Sequence, residues 1–387
     1  MRSSLLTSVA LVVVVLFLGC YASSDSSNAA AGSAAQDLSA SPSQTGANEA
    51  ADAGKDSEAA PGAEQSDPAF EAARKNDPAL QKAKAARSEP LRILVIGAHP
   101  ADIFDQSGGT MAHHVERGDW VGCAVLTHGG RVHDKVVTDQ MFHQKEIPDA
   151  ETMTKIIAQR ADVKTKEILR ACAILGVRRE NVYFLGADDA VLLVNEPMIR
   201  QLARLIRKLR PDVVITHYPL EDAGVASQHA TTGKIVMHAI QFARGVDPGD
   251  KTPPCKVTQV FFFGIGAAAP RTNLWGAQGG FFNNIFIDIT DVAAKKVACL
   301  DAVDSQGYGG AYARKRIEFS DAAFGSRVKV PYAEGFIIMN STTHYYLPVS
   351  EIDLAHSKAS DHEAISRSSF RIDTSTPDSP TKNAVPR

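Results

Sequence analysis

The sequence has few cysteines, and none of them has the spacing of a zinc ribbon or a redox pair. Five cysteines are spread over 387 residues, and no two form a Cys-x-x-Cys motif, so neither kind of site is indicated. Three of them lie among apolar neighbours, and we expect these to be small core residues: Cys123, Cys172 and Cys299.

An excess of positive charge is also missing. The chain has 41 Lys and Arg against 44 Asp and Glu, a formal net charge of −3 at pH 7, so it lacks the basic footprint of a nucleic-acid-binding protein. No Gly-x-Gly-x-x-Gly motif follows the first predicted strand, so a dinucleotide cofactor is not indicated. The length leaves room for one large domain or two ordinary ones.

The N-terminus has the pattern of an export signal. Arg2 precedes an apolar run over Leu11–Leu18, and Gly19-Cys20 follows, which is typical of a signal peptide rather than a membrane span. Leu-Gly-Cys20 resembles a bacterial lipoprotein box, although Phe17 stands where Leu is usual. An ordinary secretory signal or an uncleaved anchor is the alternative. We expect residues 1–20 to be a lipoprotein signal, with the protein exported and membrane-anchored through a lipidated Cys20 on the periplasmic or extracellular face.

Two segments are too polar to form a core. Residues 21–90 are rich in Ala, Ser, Gly, Asp and Glu, with scarcely any large apolar residue before Phe70, so we predict a disordered tether that contains a marginal helix over Glu71–Arg87. The chain turns polar again near Leu354, and we predict a disordered tail over 355–387. One folded domain is therefore expected over residues 91–354.

Strand-like and helix-like patterns alternate within this domain. That alternation predicts an α/β fold, a Rossmann-like doubly wound and mostly parallel sheet in a single domain. The polar stretch Arg131–Asp149 is predicted to be an irregular flap over the site. The predicted strands are Arg92–Ile96, Val121–Leu126, Asn181–Leu185, Pro211–Thr216, Val257–Phe263, Phe281–Ile289 and Val330–Ile338; the predicted helices are Thr110–Arg117, Thr152–Leu175, Glu196–Leu209, His229–Arg244, Val292–Asp304 and Tyr308–Arg316.

Polar side chains collect where the predicted strands end. His99 and Asp102 follow the first strand, His128 the second and His217 the fourth, while His229 begins the next helix. In an open α/β sheet, ligands bind at the carboxyl ends of the strands, and two His with one carboxylate are typical of catalytic zinc. We expect one Zn²⁺ held by His99, Asp102 and His229. His128 and His217 would contact the substrate or the ligands, or would simply be polar strand ends, and Asp102 would otherwise cap a helix.

Several short motifs lie at the predicted strand and helix ends. They are Ile96-Gly-Ala-His-Pro-Ala-Asp102, Gly108-Gly109, Arg117-Gly118, Thr127-His-Gly129, Leu175-Gly176, Phe184-Leu-Gly186 with Asp188 or Asp189, and Pro211-Asp-Val-Val-Ile-Thr-His217. Over roughly residues 91–340 this set resembles one family, the PIG-L/LmbE-like de-N-acetylases. The resemblance implies that zinc binds the first His and the last Asp of the opening motif and a His after the fourth strand, which are His99, Asp102 and His229 here.

The sequence departs from this family at three positions. Ala101 stands where the family has its general base, Ala226 where it often has an oxyanion-stabilising His, and Gly130 where a Glu is common. Loss of a general base typically costs about 10²- to 10⁴-fold in rate. A displaced base is therefore needed for hydrolysis, and the candidates are Asp105, Glu221 and Asp222.

One branch of the superfamily shares the first departure. The 4-oxalomesaconate hydratases have a His-x-Ala-Asp opening followed by Gly-Gly, and Ile287–Thr290 and Tyr332–Gly335 are similar to their C-terminal half. The resemblance implies an anionic substrate, which would need cations. Most of the candidate cations are expected to form a solvated helix face instead: Arg131, Lys295, Lys296, Arg314 and Arg316.

Three functions remain open from the sequence. The first is a zinc-dependent hydrolase that removes an N-acyl group from an amino-sugar-like or glycan substrate, with His217 and a displaced carboxylate as catalytic groups and His128 and Arg131 contacting the substrate. The second is a zinc hydratase of a small unsaturated carboxylic acid. The third is a lipid-anchored binding protein without turnover. Export favours the first over the second, because ring-cleavage catabolism is usually cytoplasmic.

Overall fold

The computed structural model describes residues 89–221, 227–264, 283–369 and 371. The predicted signal peptide, tether and marginal helix lie outside these residues. Among the described helices, none combines the length and the apolar character needed to cross a membrane.

The described residues form one seven-stranded sheet in the order β3-β2-β1-β4-β5-β7-β6. Strands β1 to β5 are parallel to one another, whereas β7 runs antiparallel to both β5 and β6. This confirms the predicted α/β, mostly parallel sheet. The strands are β1 (Arg92–Gly97), β2 (Trp120–Thr127), β3 (Val182–Ala187), β4 (Val213–Thr216), β5 (Gln259–Phe263), β6 (Ile285–Asp288) and β7 (Ala333–Ile338).

Helices cover both faces of this sheet. Alternate residues of β1 point to opposite sides, so Val95 packs into one hydrophobic cluster and Leu94 into the other, which explains why the strand is apolar throughout. Cys123, Cys172 and Cys299 are buried in the first cluster, as predicted. The helices are α1 (Pro100–Glu116), α2 (Lys135–Phe142), α3 (Ala150–Leu175), α4 (Glu196–Leu209), α5 (Gln228–Ala243), α6 (Ala293–Asp301), α7 (Ala311–Arg316), α8 (Ala322–Val328), α9 (Glu351–Ser357) and α10 (Asp361–Ser368).

Helix α1 begins ten residues earlier than predicted, at Pro100. Proline suits the first helical position, and Gly108-Gly109, which precedes the predicted helix, lies inside the observed one next to a kink at Ser107. A Cβ atom at Gly109 would lie 2.6 Å from a side-chain carbon of Ile289. The glycine therefore allows the kinked helix to pack closely on its neighbour.

Two segments predicted to be irregular contain helices. The flap Arg131–Asp149 contains α2, whose first turn is capped by Asp134 accepting a hydrogen bond from the Val137 amide at 3.0 Å. The predicted disordered tail is wrong over residues 355–369, because α9 continues to Ser357 and α10 follows. Residues 370 and 372–387 lie outside the described residues.

Helix α4 has one of its basic side chains buried. Its bounds, Glu196–Leu209, agree with the prediction, but the Arg207 side chain is buried. Arg207 donates hydrogen bonds to the carbonyls of Phe242 and Gly245 and to the Asp250 carboxylate. It therefore joins α4 to the segment that follows α5.

Candidate metal centre

Four side chains meet at the carboxyl edge of the sheet. His99 and Asp102 lie at the junction of β1 and α1, His217 directly follows β4, and His229 lies in the first turn of α5. Because β1 and β4 are neighbouring parallel strands, their carboxyl ends bring these groups to one place. His99, Asp102 and His217 are buried, and the His229 side chain is 33% exposed.

Among the described residues, two overlapping groups of side chains at this edge could hold a metal ion. One donor atom each from His99, Asp102 and His229 lies within 4.8 Å of the others, and the same holds for His217, Glu221 and His229. The first group is the trio expected from the sequence. The structure brings these residues together, and their role as ligands stays a prediction.

Asp102 lies at the centre of the first group. Its Oδ2 atom accepts a hydrogen bond from the His99 amide at 2.7 Å and lies 3.2 Å from His217 Nε2 and 3.2 Å from His99 Nδ1. Its other oxygen lies 3.6 Å from His229 Nε2. The carboxylate therefore faces all three imidazole rings.

Glu221 joins the other sides of two of these rings. Its carboxylate oxygens lie 2.8 Å from His229 Nδ1 and 3.3 Å from His217 Nδ1, and the two rings stack with centroids 4.2 Å apart. Holding Nδ1 in this way turns the Nε2 atom of each ring towards Asp102. A carboxylate on the far nitrogen is the usual support of a metal-binding histidine.

These contacts favour positive charge in the pocket. Burial would raise the pKa of Asp102, but His229, His99 and the hydrogen bond from His217 hold it well below its usual range. Burial likewise opposes ionisation of Glu221, yet hydrogen bonds from His217 and His229 lower its pKa to about 2. Burial acts to lower the pKa of His229, but Asp102 and Glu221 overcome it and raise the pKa to about 11.

This donor set fits a divalent metal such as zinc. Imidazole nitrogens and carboxylate oxygens are ordinary zinc ligands, and two ionised carboxylates would offset the charge of the ion. The Nδ1 atom of His99 is buried and has no hydrogen-bond partner among the described residues, as expected of a nitrogen kept for a metal.

Asp105 and Asp222 were the other candidates for a displaced base. The Asp105 carboxylate is buried and held by Arg316, whose Nε and Nη2 atoms lie 2.9 and 2.8 Å from its two oxygens. It is absent from both metal-capable groups of the described residues. Asp222 and Ala226 lie outside the described residues.

The two predicted substrate contacts lie after β2. The His128 ring stacks on Phe184 with centroids 5.0 Å apart, and burial lowers its pKa in spite of nearby Asp162 and Asp189. Arg131 is half-exposed and pairs with Asp188. Both remain candidates for contacting a substrate.

The other candidate cations are paired with acidic groups instead of forming a free basic face. Lys296 is buried against Asp321 and Glu334, so the expectation of a solvated face is wrong there. Among the rest, Lys295 pairs with Glu116, Arg314 with Asp301 and Arg316 with Asp105.

Sequence reasoning missed two residues that contact His99. Gln228 Oε1 lies 2.5 Å from His99 Nε2, and the His133 ring stacks on the His99 ring with centroids 3.5 Å apart. The position of Gln228 directly before a predicted ligand was the available signal. His133 gave none, because its loop reaches the site only through tertiary contacts.

Comparisons with known proteins agree with this architecture. Residues 94–240 match the family model of the GlcNAc-PI de-N-acetylases, PIG-L. A 4-oxalmesaconate hydratase of Pseudomonas putida is 24% identical over 222 residues, covering 55% of this chain and 73% of the relative. A 1D-myo-inositol 2-acetamido-2-deoxy-α-D-glucopyranoside deacetylase of Kineococcus radiotolerans is 28% identical over 190 residues, covering 44% of this chain and 52% of the relative.

A solved structure has the same fold. The N,N′-diacetylchitobiose deacetylase of Pyrococcus horikoshii superimposes with a TM-score of 0.51 at 20% identity, covering 71% of this chain and 94% of that one. The chain thus spans about half of the deacetylase matched by sequence and nearly all of the deacetylase matched by fold. The family-model match identifies a PIG-L family domain over residues 94–240, which contain most of β1, all of β2 to β4 and all four side chains of the strand-end cluster.

Proposed function

We propose that this protein is a zinc-dependent hydrolase that removes an N-acyl group from an amino-sugar-like or glycan substrate. The observation that carries the proposal is the grouping of His99, Asp102 and His229 within 4.8 Å at the carboxyl edge of the sheet. The named deacetylase relative, which acts on an acetamido sugar, supports the substrate class.

His99, Asp102 and His229 would hold the metal. A bound zinc ion supplies a Lewis acid and lowers the pKa of a bound water. Glu221 keeps His229 in the orientation required for binding, and the one-third exposure of the His229 side chain provides access from solvent.

The missing aspartate at position 101 requires another proton acceptor. We assign this role to His217 supported by Glu221: the Nε2 atom of His217 faces the cluster, and the Glu221 carboxylate, ionised at neutral pH, lies 3.3 Å from its Nδ1 atom. Asp105 is less suited, because Arg316 binds both of its oxygens. His128 and Arg131, which follow β2, are the proposed contacts to the substrate.

A hydratase is the second candidate function. Ala101 in place of the hydrolytic base favours it, and so does the similarity to a 4-oxalmesaconate hydratase over 73% of that relative. Its substrate would be a small unsaturated carboxylic acid. Among the candidate cations, the half-exposed Arg131 is the one best placed to meet such an anion.

Metal analysis and product analysis of the full-length protein test both candidates. We expect one zinc per chain in the wild type, little in H229A, and an unchanged amount in H143A, which alters an exposed histidine outside the cluster. Release of acetate from N-acetylated amino sugars would support the hydrolase. Hydration of unsaturated acids without acetate release would support the hydratase, and absence of zinc from the wild type would leave only a binding protein.

We also propose that the protein acts outside the cytoplasm, anchored by a lipid on Cys20. The support is the charged, apolar and small-residue order of residues 2–20. Labelled palmitate should be incorporated into the wild type and not into C20S, and equal labelling of both would refute the anchor.

A further inference from the structure

Gln228 connects His99 to the loop after β3. Its Oε1 atom lies 2.5 Å from His99 Nε2, and its amide nitrogen donates a hydrogen bond to the Asp189 carbonyl at 2.6 Å. A carbonyl oxygen can only accept, so the amide end of Gln228 must face Asp189 and its oxygen must face His99. The hydrogen bond to His99 therefore requires a proton on Nε2.

When the His99 ring is neutral, its opposite nitrogen, Nδ1, is then an acceptor. Nδ1 is buried without a hydrogen-bond partner among the described residues and lies 3.2 Å from Asp102 Oδ2. With the proton on Nε2 of a neutral ring, two acceptor atoms face each other across this distance. A cation bound by both atoms resolves the repulsion.

Asp189, whose carbonyl orients Gln228, is itself held in place by hydrogen bonds. The Asp189 carboxylate accepts hydrogen bonds from the amides of Arg131 and Val132 at 3.0 and 2.8 Å. These two residues lie in the loop after β2, which also contains His133, whose ring stacks on that of His99. The His99 ring is thus held on its face by His133 and at its edge by Gln228.

We propose that Gln228 is a positioning residue that keeps His99 protonated on Nε2 and so presents Nδ1 as the metal-binding atom. This inference rests on the metal centre of the proposed function. It adds which nitrogen of His99 binds and which residue of this chain selects it.

Variants of the full-length protein test the proposal. Q228L keeps the size of the side chain but removes both hydrogen bonds, whereas Q228E keeps an acceptor for His99. Zinc affinity, measured by competition with a chelating dye, should fall about 10- to 100-fold in Q228L, as is typical when the support of a ligand is lost, and less in Q228E. The control Q241L makes the same exchange at an exposed position of α5 and should bind zinc like the wild type.

Nitrogen-15 NMR of labelled histidines gives a readout that does not depend on activity or on metal. The metal-free wild type should show His99, assigned from H99A, protonated on Nε2, and Q228L should show a mixture of tautomers. Unchanged zinc affinity in Q228L, or zinc bound to Nε2 in the wild type, would overturn the proposal. A wild type that binds no zinc but shows the tautomer difference would refute the metal centre while leaving the orienting role of Gln228 intact.

Discussion

Lys164 is a buried ammonium group behind the loop that carries His133. It donates hydrogen bonds to the His133 carbonyl at 3.1 Å and to Ser305 Oγ at 3.0 Å, and its Nζ atom lies 3.8 Å from Asp134. Burial lowers the pKa of Lys164 to about 8, although Asp134 and Glu167 oppose this effect. The group therefore loses its proton at lower pH in the folded chain than in the unfolded chain.

This difference predicts a pH-dependent contribution to stability. Between pH 8 and 10.5, the folded state loses the Lys164 proton while the unfolded state keeps it, so the free energy of unfolding should rise with pH across this window. K164M removes the titrating group. The free energy of unfolding in urea, taken as wild type minus K164M, should therefore become more positive from pH 8 to pH 10. K208M, at an exposed position of α4, should follow the wild type. Parallel curves for wild type and K164M would contradict the prediction.

The grouping of His99, Asp102 and His229 could be predicted at the residue level, whereas the residues that support it could not. His99, Asp102 and His229 stand next to predicted strand or helix ends, and topology alone brings such positions together. Gln228 and His133 act on His99 through contacts across 129 residues and through ring stacking. No local pattern encodes such contacts.

Helix α3 ends at a glycine for two separate reasons. Gly176 has a φ of +83°, and its amide donates to the Ala173 and Cys172 carbonyls. A Cβ atom there would also lie 2.8 Å from Val115 Cγ1 of α1. Gly118 has a similar φ of +88°, but a Cβ atom at that position would meet no heavy atom of the described residues within 4 Å.

Alanine substitutions at Gly118 and Gly176 distinguish the cost of backbone strain from the cost of a steric clash. G118A should lower the free energy of unfolding by about 1–2 kcal/mol, the cost of a left-handed conformation for an L-residue. G176A should cost more, because the stiff valine side chain must also move. Urea unfolding of both variants measures the difference, and equal losses would show that Val115 yields without cost.

Helices and strands were predictable where the local sequence features agreed with one another. Helix α4 matches its prediction because capping by Asn195 and a strong amphipathic period agree. The start of α1 was missed because glycine is an unfavourable residue inside a helix, yet the Gly108-Gly109 pair that packs closely on Ile289 lies within this one. Helices α9 and α10 were missed because their sequences are polar, although Ser350 and Ser360 supply caps, Ser350 by accepting from the Asp353 amide.

At the scale of the whole domain, a buried ionic cluster joins elements distant in the sequence. Lys296 of α6 lies 2.8 Å from Asp321 and 2.8 Å from Glu334 of β7. The two Glu334 oxygens also accept hydrogen bonds from the amides of Gly109 and Thr110 in α1. The adjacent Lys295 lies in the same stretch of sequence but pairs with Glu116 at the surface. The sequence alone therefore does not indicate which of the two lysines is buried.

Removing the buried cation should therefore destabilise the domain far more than removing its neighbour. K296M leaves Asp321 and Glu334 facing each other without a counter-charge, and breaking a buried pair in this way costs about 3–5 kcal/mol. K295M removes a surface pair worth about 0–1 kcal/mol. The measurement is the free energy of unfolding in urea at pH 7. A triple variant, K296M/D321N/E334Q, should recover part of the loss, because no net charge stays buried; a loss in K296M no larger than in K295M would show that solvent reaches the two carboxylates.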